Sequence, residues 1–226
     1  MEIIDHGNDI IEYRDAIENP YQVIANINEL DTNRGVYDVL PQFNDWAEGY
    51  VQPDGVWRAV NVKGRNKIIR WSETRDRADL KQIREFVSEK VLDPIWIPFK
   101  ASIEHYAKTV GVEVPKYITK NIDIRVYATG ENLGPHTDTN HDGPFTHHSL
   151  VIYLNDDYEG GGLHFIDHGL TIKPKAGSIV AFPATALHES IAVTSGNKWH
   201  SPCFWYGDVS TVSSGKEQLD SNRFIE

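Results

Sequence analysis

Cysteine is almost missing from this chain: Cys203 is the only one among 226 residues, so no disulfide can form within the chain. So little cysteine is typical of a protein from a reducing compartment. Long apolar runs are missing as well, and none approaches the roughly 18 residues of a membrane-spanning helix. The stretch Met1–His6 has neither the positive charge nor the apolar centre of a secretion signal. These absences exclude a disulfide-stapled scaffold and predict a cytoplasmic protein.

Positive charge is also scarce, with 22 Lys and Arg residues against 33 Asp and Glu residues and a formal net charge of -11. A surface of this sign repels phosphate backbones and anionic lipids. We therefore expect neither nucleic acid nor a membrane as a partner. The apolar share of 40% and the aromatic share of 11% are those of a folded globule. The length predicts one domain over residues 1–226.

The first part of this domain, residues 1–117, is predicted to be a helical and irregular N-terminal support and lid. Asn8 is predicted to cap a short helix that ends near Asn19-Pro20 and carries Ile10, Ile11, Ala16 and Ile17.

Four aromatic residues are scattered among glycines and prolines farther along, and they are Trp46, Tyr50, Trp57 and Trp71. Two interpretations stay open: an irregular lid packed on the core, or a substrate-recognition region. Aromatic side chains are buried more often than they bind ligands, which favours the lid.

Two helices are predicted before residue 118. The first follows Asp79, and its apolar stripe consists of Leu80, Ile83, Val87 and Val91. The pair Asp93-Pro94 is expected to interrupt it. The second helix has Pro98 in its first turn and ends at Gly111; its apolar residues are Phe99, Ile103, Tyr106 and Val110. Both helices are expected to pack against a sheet.

From about residue 118 the apolar period changes to two residues, so that Ile122, Ile124 and Val126 share one face of a strand and Tyr127 lies on the other. The segment 149–154 is a nearly continuous apolar run, which suits a central strand. Further strands are predicted at 163–167, 170–173, 178–182, 188–193 and 198–206. Many short strands separated by turn residues are typical of an antiparallel jelly roll. We therefore predict a mainly β (α+β) fold, with a jelly-roll catalytic core over 118–207 and a C-terminal tail over 208–226.

The pair His136-x-Asp138, with His188 farther along, has the ligand types of a facial non-haem Fe(II) site. Alternate residues of a strand project from the same face, so this imidazole and carboxylate could converge on one ion. Taken alone the pair is a weak signal in a chain with ten histidines, and a surface turn is the alternative.

Lys198 and Tyr127 each allow two interpretations. Lys198 follows a turn at 194–197, and its long side chain could reach inward to supply the cation that a dicarboxylate co-substrate needs. The alternative is a solvated turn lysine. Tyr127 could face the same pocket, or it could be a core tyrosine.

A series of short motifs runs from Ile122 to Trp205. In chain order these are Tyr127-Ala-Thr-Gly130, Pro135-His-Thr-Asp138, Tyr153-Leu-Asn-Asp156, Tyr158-Glu-Gly-Gly161, Phe165, Lys173-Pro-Lys-Ala-Gly177, Phe182, Leu187-His188 and Gly196-Asn-Lys-Trp199. With this order the chain resembles the prolyl 4-hydroxylase branch of the Fe(II)- and 2-oxoglutarate-dependent dioxygenases. Most other branches have arginine in place of Lys198, so the lysine favours this branch.

The resemblance implies a double-stranded β-helix with N-terminal flanking helices, and it assigns the predicted site. Fe(II) would be bound by His136, Asp138 and His188, and the distal carboxylate of 2-oxoglutarate by Lys198 and Tyr127. O2 is the other co-substrate, and ascorbate is an additional cofactor candidate. The implied reaction is that of a procollagen-proline 4-dioxygenase-like hydroxylase, in which an unactivated C–H is hydroxylated and succinate and CO2 are released.

Departures from the family pattern leave the prime substrate open, since Gly162-Leu163 stands where a threonine is usual and Leu133-Gly134 replaces an aromatic residue. A prolyl residue in a peptide or protein is the leading prediction, and a free amino acid or other small metabolite is the alternative. A groove lined by Tyr50, Trp57 or Trp71 would favour the peptide. A closed pocket with an additional cation would favour the small molecule. A non-catalytic cupin-like binding module comes last, because it needs neither a triad nor a buried cation.

The glycine run and the cysteine are interpreted as structural. The remaining histidines could line the substrate cleft or lie on turns, and the structural interpretation is favoured for each of them. The histidines concerned are His141, His147, His148, His164, His168 and His200. The run Gly160–Gly162 has neither the Gly-Lys-Ser/Thr continuation nor the helix of a phosphate loop, so it is interpreted as a turn. Cys203 has no partner at a spacing suited to metal or nucleophilic chemistry and is predicted to be a small buried residue.

Overall fold

The structure, a computed structural model, describes residues 1–33, 42–43, 47–51, 57–63, 65–68, 88–114, 117–119, 123–140, 146–206 and 216–218. Antiparallel strands predominate in these ranges, and they form two main sheets that share an apolar interior. Among the described helices, none combines the length and the apolar character that a membrane crossing requires.

The strands are named in chain order. They are β1 (Glu2–Asp5), β2 (Ile11–Arg14), β3 (Gln42–Phe43), β4 (Ala47–Val51), β5 (Trp57–Lys63), β6 (Arg65–Ile68), β7 (Tyr117–Thr119), β8 (Asp123–Ala128), β9 (Asn132–His136), β10 (Thr146–Tyr153), β11 (Glu159–Gly160), β12 (Leu163–Phe165), β13 (Leu170–Ile172), β14 (Ile179–Pro183), β15 (His188–Ser190), β16 (Val193–Ser195), β17 (Asn197–Tyr206) and β18 (Lys216–Gln218).

The larger sheet has the order β1-β2-β14-β10-β17-β8-β6-β3, with β7 attached to β17 and β18; the smaller sheet has the order β13-β12-β15-β9-β5-β4. Strands β11 and β16 form a separate pair. From β8 to β17 the chain passes back and forth between the two main sheets. This winding is that of a double-stranded β-helix, and the predicted fold class is confirmed.

Strand β10, predicted as central, lies between β14 and β17. Its residues alternate between two apolar layers: Leu150 and Ile152 pack with the helices, whereas Val151 and Tyr153 pack between the sheets. Because both faces are buried from Leu150 to Tyr153, every position of this half of the strand is apolar, and this is why the sequence shows a continuous run there rather than an alternation.

The prediction of a helix after Asn8 is wrong. Strands β1 and β2 form a hairpin there, and this hairpin extends the edge of the larger sheet. Asn8 (φ 53°) and Asp9 (φ 58°) have the left-handed backbone of the hairpin turn, which Asn and Asp adopt more readily than most residues. Ile10 and Ile11 imitate helical spacing because each is buried in a different apolar layer, one on each side of the sheet.

Helix α1 (Pro20–Asn33) begins at the proline where the predicted helix was to end. Helix α2 (Asp93–Val110) follows a π turn, Ser88–Leu92. The pair Asp93-Pro94 therefore starts a helix instead of interrupting one, in agreement with the preference of proline for the first helical turn.

Pro98 lies inside α2 rather than in its first turn, and its carbonyl accepts a hydrogen bond of 2.9 Å from the Ser102 hydroxyl. Gly111, with φ 74°, ends the helix as predicted. The helix predicted after Asp79 lies outside the described residues except at its end, where Val91 is buried in the π turn.

Both helices pack on the outer face of the larger sheet. Phe99, Ile103 and Tyr106, the predicted stripe of α2, are each at most 1% exposed, and each such burial stabilises the fold by roughly 1.5–3 kcal/mol. The same layer includes Val23 and Ile27 of α1. The predicted packing on a sheet is therefore confirmed for α2.

Strands β3 to β6 come from residues 42–68, where the sequence analysis predicted no strands. The side chains of Tyr50 and Trp57, and all of Trp46 and Trp71, lie outside what the structure describes. The division into support, catalytic core and tail stays a prediction.

Candidate metal and anion site

Three predicted ligands, His136, Asp138 and His188, meet between the two sheets, with one ligand atom from each lying within 4.8 Å of the others. His136 ends β9, and His188 begins β15 directly opposite it in the antiparallel register. Asp138 is not in the strand but begins a short 3-10 turn, and its N–H donates to the Ala184 carbonyl at 2.9 Å. The expectation that strand alternation directs this carboxylate is therefore wrong, because the turn directs it.

The two imidazoles share one hydrogen-bonding pattern. Nδ1 of His136 donates to the Gly134 carbonyl at 2.8 Å, and Nδ1 of His188 donates to the Ala186 carbonyl at 2.9 Å. A carbonyl oxygen can only accept, so Nδ1 carries the hydrogen and Nε2 of each neutral ring presents a lone pair. Backbone carbonyl groups thus fix the tautomer and the orientation of both rings.

The lone pairs point toward the carboxylate. Nε2 of His136 lies 3.5 Å from Oδ1 of Asp138, and Nε2 of His188 lies 3.7 Å from Oδ2. Acceptor atoms that face one another at these distances repel unless a positive charge lies between them. The cluster therefore favours a bound cation. Octahedral ligand atoms at about 2.1 Å from an ion would be about 3 Å apart, and the separations of 3.5 and 3.7 Å are somewhat longer than this.

Electrostatics keep Asp138 ionised. Burial acts to raise the pKa of Asp138, which is 4% exposed, but the neighbouring His188, His136 and Ser149 together outweigh burial and hold this pKa well below its usual range. Two imidazoles and one ionised carboxylate on one side of an ion form the facial donor set that suits Fe(II) and leaves positions open. The residues present therefore fit an iron ion.

Two phenylalanines pack around His188. The ring of Phe182 lies 4.8 Å from the imidazole, centroid to centroid, and the ring of Phe165 lies 6.0 Å from it. Phe182 belongs to the larger sheet and Phe165 to the smaller one, and their own centroids are 5.0 Å apart. They give the cluster an apolar wall that limits access of water.

Lys198 points inward and is 1% exposed. Its ammonium group donates to the Gly161 carbonyl at 2.7 Å and to the Ser190 hydroxyl at 2.8 Å. No carboxylate pairs with it among the described residues, and burial alone lowers the pKa of Lys198 to about 7. An ammonium has three donors, so one remains for a ligand, and an anionic ligand would offset the cost of burying the charge.

The aromatic rings beside Lys198 are those of Tyr153, at 5.3 Å from Nζ, and Tyr127, at 5.9 Å. Tyr127 is fully buried and lies opposite Lys198 in the pairing of β8 with β17. The structure thus brings all five predicted site residues to one pocket, since Tyr127, Lys198 and the three metal ligand candidates all line it.

Gly161 is more than the turn residue predicted. Its φ is 63°, and a Cβ atom here would lie 2.7 Å from a ring carbon of Tyr158 and 3.2 Å from Cδ of Lys198. Only glycine lets the backbone come close enough for its carbonyl to bond the lysine. This contact could not be predicted from the order of the residues, because Gly161 and Lys198 meet only through the fold.

Sequence reasoning also missed Arg125 and His200. Both line the pocket, on the strands that carry Tyr127 and Lys198. His200 was interpreted as structural among many histidines, yet its place two residues after Lys198 on a strand would have put both side chains on one face.

The other predicted structural residues lie away from the pocket. His164 is 3.5 Å from Glu189 at the partly exposed surface, and His147 and His168 are exposed. Cys203 is buried, as predicted. His141 lies outside the described residues.

Residues 122–206 match the sequence profile of the 2OG-Fe(II) oxygenase superfamily. This range contains all five predicted site residues, and the resemblance stated from the ordered motifs is confirmed. Over these residues the chain is similar to the 2OG-Fe(II) oxygenase superfamily.

Among individual relatives, a PKHD-type hydroxylase of Psychrobacter sp. (strain PRwf-1) is 32% identical over 108 residues, which are 43% of this chain and 41% of that protein. The chain thus matches less than half the length of this relative. The viral collagen prolyl hydroxylase of Paramecium bursaria Chlorella virus-1, solved with 2OG, has a TM-score of 0.57 at 15% identity, covering 89% of this chain and 98% of its own. A Trichoplax adhaerens prolyl hydroxylase, solved with a hypoxia-inducible-factor peptide fragment, has a TM-score of 0.55 at 14% identity, covering 88% and 84%. These structures show the shared fold.

Proposed function

We propose that the protein is an Fe(II)- and 2-oxoglutarate-dependent dioxygenase that hydroxylates an unactivated C–H and releases succinate and CO2. The observation that carries the proposal is the presence in one pocket of a cluster that favours a cation and a buried lysine that has no carboxylate partner among the described residues. The first suits Fe(II), and the second suits the distal carboxylate of a keto diacid.

In this proposal His136, Asp138 and His188 hold the iron, with three positions left for 2-oxoglutarate and O2. When bound, the iron supplies the redox chemistry that couples decarboxylation of 2-oxoglutarate to C–H hydroxylation. The protein's part is orientation: the backbone carbonyls of Gly134 and Ala186 fix both imidazole rings.

Lys198 and Tyr127 are proposed to hold the far end of 2-oxoglutarate. The lysine offers a charge-assisted hydrogen bond, which is stronger than a neutral one, and Gly161 and Ser190 fix the direction of its ammonium group. The apolar residues around this end exclude water, which strengthens the interaction further.

For the prime substrate we propose a prolyl residue in a peptide or protein. The proposal is supported by the similarity of the fold to prolyl hydroxylases, one of them solved with a peptide fragment, and by Lys198, a residue that favours this branch. The aromatic residues that were expected to line a peptide groove lie outside the described side chains.

A free amino acid or other small carboxylic acid is a second candidate substrate, and one observation favours it. Arg125 lines the same pocket as Lys198 and is the additional cation that such a substrate was expected to need.

The test begins without oxygen and without any substrate. Fe(II) and then 2-oxoglutarate are added to the purified protein, and the visible absorption spectrum is recorded. A weak charge-transfer band is expected with 2-oxoglutarate but not with succinate, which has no keto group to chelate the metal, and the band is expected to be lost in Asp138→Ala. Bound iron without a band would contradict the proposal.

The two substrates are then separated by succinate formation in air. A proline-containing peptide is expected to stimulate succinate release, whereas free proline and other small acids are not. Stimulation by a small acid alone would favour the second candidate.

A further inference from the structure

A second cavity, the helix cavity, is lined by both helices and lies apart from the pocket between the sheets. Its lining begins at Ala16, before α1, continues along α1 and the π turn, and ends at Ala101 of α2. Its volume is about 570 Å³, which is within the range of roughly 300–1,000 Å³ that ligand sites have. Among the described residues, none lines both the helix cavity and the candidate metal pocket.

The walls of the helix cavity are fixed by a buried amide. Asn26 of α1 is 8% exposed, and its Nδ2 donates to the Lys90 carbonyl of the π turn at 2.8 Å. The Oδ1 of Asn26 accepts a hydrogen bond of 2.9 Å from Nε2 of Gln22. Since these bonds hold α1 to the chain that leads into α2, the cavity is formed before any ligand binds.

Much of the lining is apolar, and it is open to a partner on one side. The apolar lining residues are Ala16, Val23, Pro94, Ile97, Pro98 and Ala101. Val23 is 2% exposed and belongs to the core, whereas Ile97 is 68% exposed. A ligand with an apolar group would remove Ile97 from water, which is favourable in proportion to the area covered.

The charge of the helix cavity is negative, because Glu18, Glu89 and Asp93 line it and only Lys90 opposes them. Within the part of the chain that the structure describes, no Lys, Arg or His forms an ion pair with any of these three carboxylates. Burial, and then the charge of Glu89, raise the pKa of Asp93. A cation placed between the two carboxylates would relieve their repulsion.

The proline inside α2 adds a backbone acceptor. Pro98 has no N–H, so the carbonyl of Pro94, four residues earlier, lacks its regular helical donor. Both prolines line the cavity. Hydrogen-bond acceptors therefore outnumber donors here, and this favours a ligand that carries several N–H groups as well as positive charge.

We infer that the helix cavity is a docking site for a basic segment of a polypeptide partner, with Lys or Arg side chains beside Glu18, Glu89 and Asp93 and an apolar side chain against Ile97. Charge complementarity identifies the basic side chains. The apolar lining and the volume favour a polypeptide over a small cation, because a small cation would leave both unfilled. The inference does not rest on the proposed reaction, since the cavity shares none of the candidate site's lining residues.

The test is isothermal titration calorimetry on the full chain with peptides blocked at both ends. The basic probe is Ala-Arg-Leu-Arg-Ala, and the neutral probe is Ala-Gln-Leu-Gln-Ala. The basic peptide is expected to bind about tenfold more tightly at low salt. Most of this preference is expected to disappear at about 0.5 M salt, because partly exposed charges are screened.

Charge variants locate the binding. Glu89→Gln and Asp93→Asn are each expected to weaken binding of the basic peptide by about three- to fivefold, and asparagine is also a good residue at a helix start. The matched control is Glu104→Gln, which removes one exposed charge from the same helix α2 outside the cavity and should change the affinity less than twofold. Equal weakening by all three variants, or by none, would overturn the inference.

A shape variant keeps the charges and fills the space. Ala101→Trp is expected to weaken peptide binding by about fivefold or more, whereas Ala25→Trp, at an exposed position of α1 outside the cavity, should not. Far-UV circular dichroism checks the folding of each variant.

A small dication tests the choice of occupant. Binding of 1,4-diaminobutane is expected to be about tenfold weaker than that of the basic peptide, since it has the same charge without the apolar side chain. Equal affinity would overturn the polypeptide in favour of a small cation. The absorption band with iron separates this inference from the proposed function: its absence would contradict the oxygenase proposal, while peptide binding alone decides the role of the helix cavity.

Discussion

Two buried carboxylates in this molecule are paired with histidine in opposite ways. Glu12 in β2 is fully buried, with Nε2 of His6 at 3.1 Å and the Nε–H of Arg14 donating to it at 3.0 Å. At Asp138 the nearest imidazole nitrogens are 3.5 and 3.7 Å away, and both rings use their Nδ1 hydrogens on backbone carbonyls. Donors meet an acceptor at Glu12, whereas acceptors meet acceptors at Asp138.

The same contrast holds for the cations. Arg14 pairs with Glu12, while Lys198 has no carboxylate partner among the described residues and bonds only neutral groups. Charges at the sheet edge therefore balance from within the protein. In the pocket one end favours a cation and the other favours an anion, and this distinguishes a ligand site from a structural ion pair.

Removal of a candidate metal ligand should have the largest effect on the pocket. Asp138→Ala and His188→Ala are expected to abolish iron-dependent succinate formation, and the loss of metal affinity should exceed the roughly 10–100-fold that loss of an outer-shell partner costs. Iron binding by titration and succinate by chromatography measure this, with far-UV circular dichroism as the control for folding. Wild-type succinate formation by either variant would remove that residue from the ligand set.

Loss of Lys198 comes next. Lys198→Met is expected to raise the 2-oxoglutarate concentration needed for half-saturation by about 10–100-fold, as expected for a charge-assisted contact of about 1.5–3 kcal/mol. The matched control is Lys173→Met, which removes a lysine that is half-exposed and paired with Glu159. If wild type and Lys198→Met need the same 2-oxoglutarate concentration for half-saturation, this lysine does not bind the co-substrate.

The same residue sets a pH dependence, because burial lowers the pKa of Lys198 from 10.5 to about 7. Only the protonated amine attracts a carboxylate, so 2-oxoglutarate affinity is expected to fall as the pH rises above about 7, by up to tenfold per unit. Without co-substrate, the unfolded chain holds this proton between pH 7 and 10.5 while the folded chain does not, so this group makes the free energy of unfolding rise with pH there. Anaerobic titrations at several pH values check the affinity, and Lys198→Met should flatten the profile.

Gly161→Ala should have a smaller effect on the same end of the pocket. The added methyl group would lie against Tyr158 and Lys198, so we expect a loss of about 1–3 kcal/mol in unfolding free energy and weaker 2-oxoglutarate binding. Gly169→Ala is the matched control, because its φ is 57° but nothing lies within 4 Å of an added Cβ. If both variants weaken co-substrate binding equally, backbone strain rather than contact with Lys198 is responsible.

Glu12→Gln tests the comparison at the structural ion pair, and it should leave the pocket around Asp138 unchanged. Loss of this buried charge is expected to lower the unfolding free energy by about 1–3 kcal/mol, as measured by urea denaturation. Iron binding and the 2-oxoglutarate requirement should stay at wild-type values. A change in either would mean that the edge cluster and the pocket are coupled.

The residues of the pocket that could be predicted are those with a fixed order along the chain. The order of the sequence motifs was sufficient to predict that five residues share one site. These are Tyr127, His136, Asp138, His188 and Lys198. Ser190 is in none of these motifs, and the role of Gly161 could not be read from its motif, because both residues meet Lys198 only through the fold.

The fold could be predicted where the apolar residues follow one regular spacing along the chain. The apolar run of β10 and the apolar stripe of α2 led to correct predictions of a strand and a helix. At Asn8, by contrast, a helix was predicted where the chain forms a hairpin. Where the chain enters β2, Ile10 and Ile11 are buried in separate layers, and along the chain this imitates the spacing of a helix. Local sequence does not distinguish the two when tertiary burial sets the pattern.

The pocket is divided between the two sheets. His136 and His188 belong to the smaller sheet, whereas Tyr127 and Lys198 belong to the larger one. Productive geometry thus depends on the distance between two layers, and the Phe165–Phe182 contact is part of the packing that sets it. Warming that loosens this packing would separate the two halves while each sheet kept its own hydrogen bonds, so heat is expected to inactivate the protein before its strands melt.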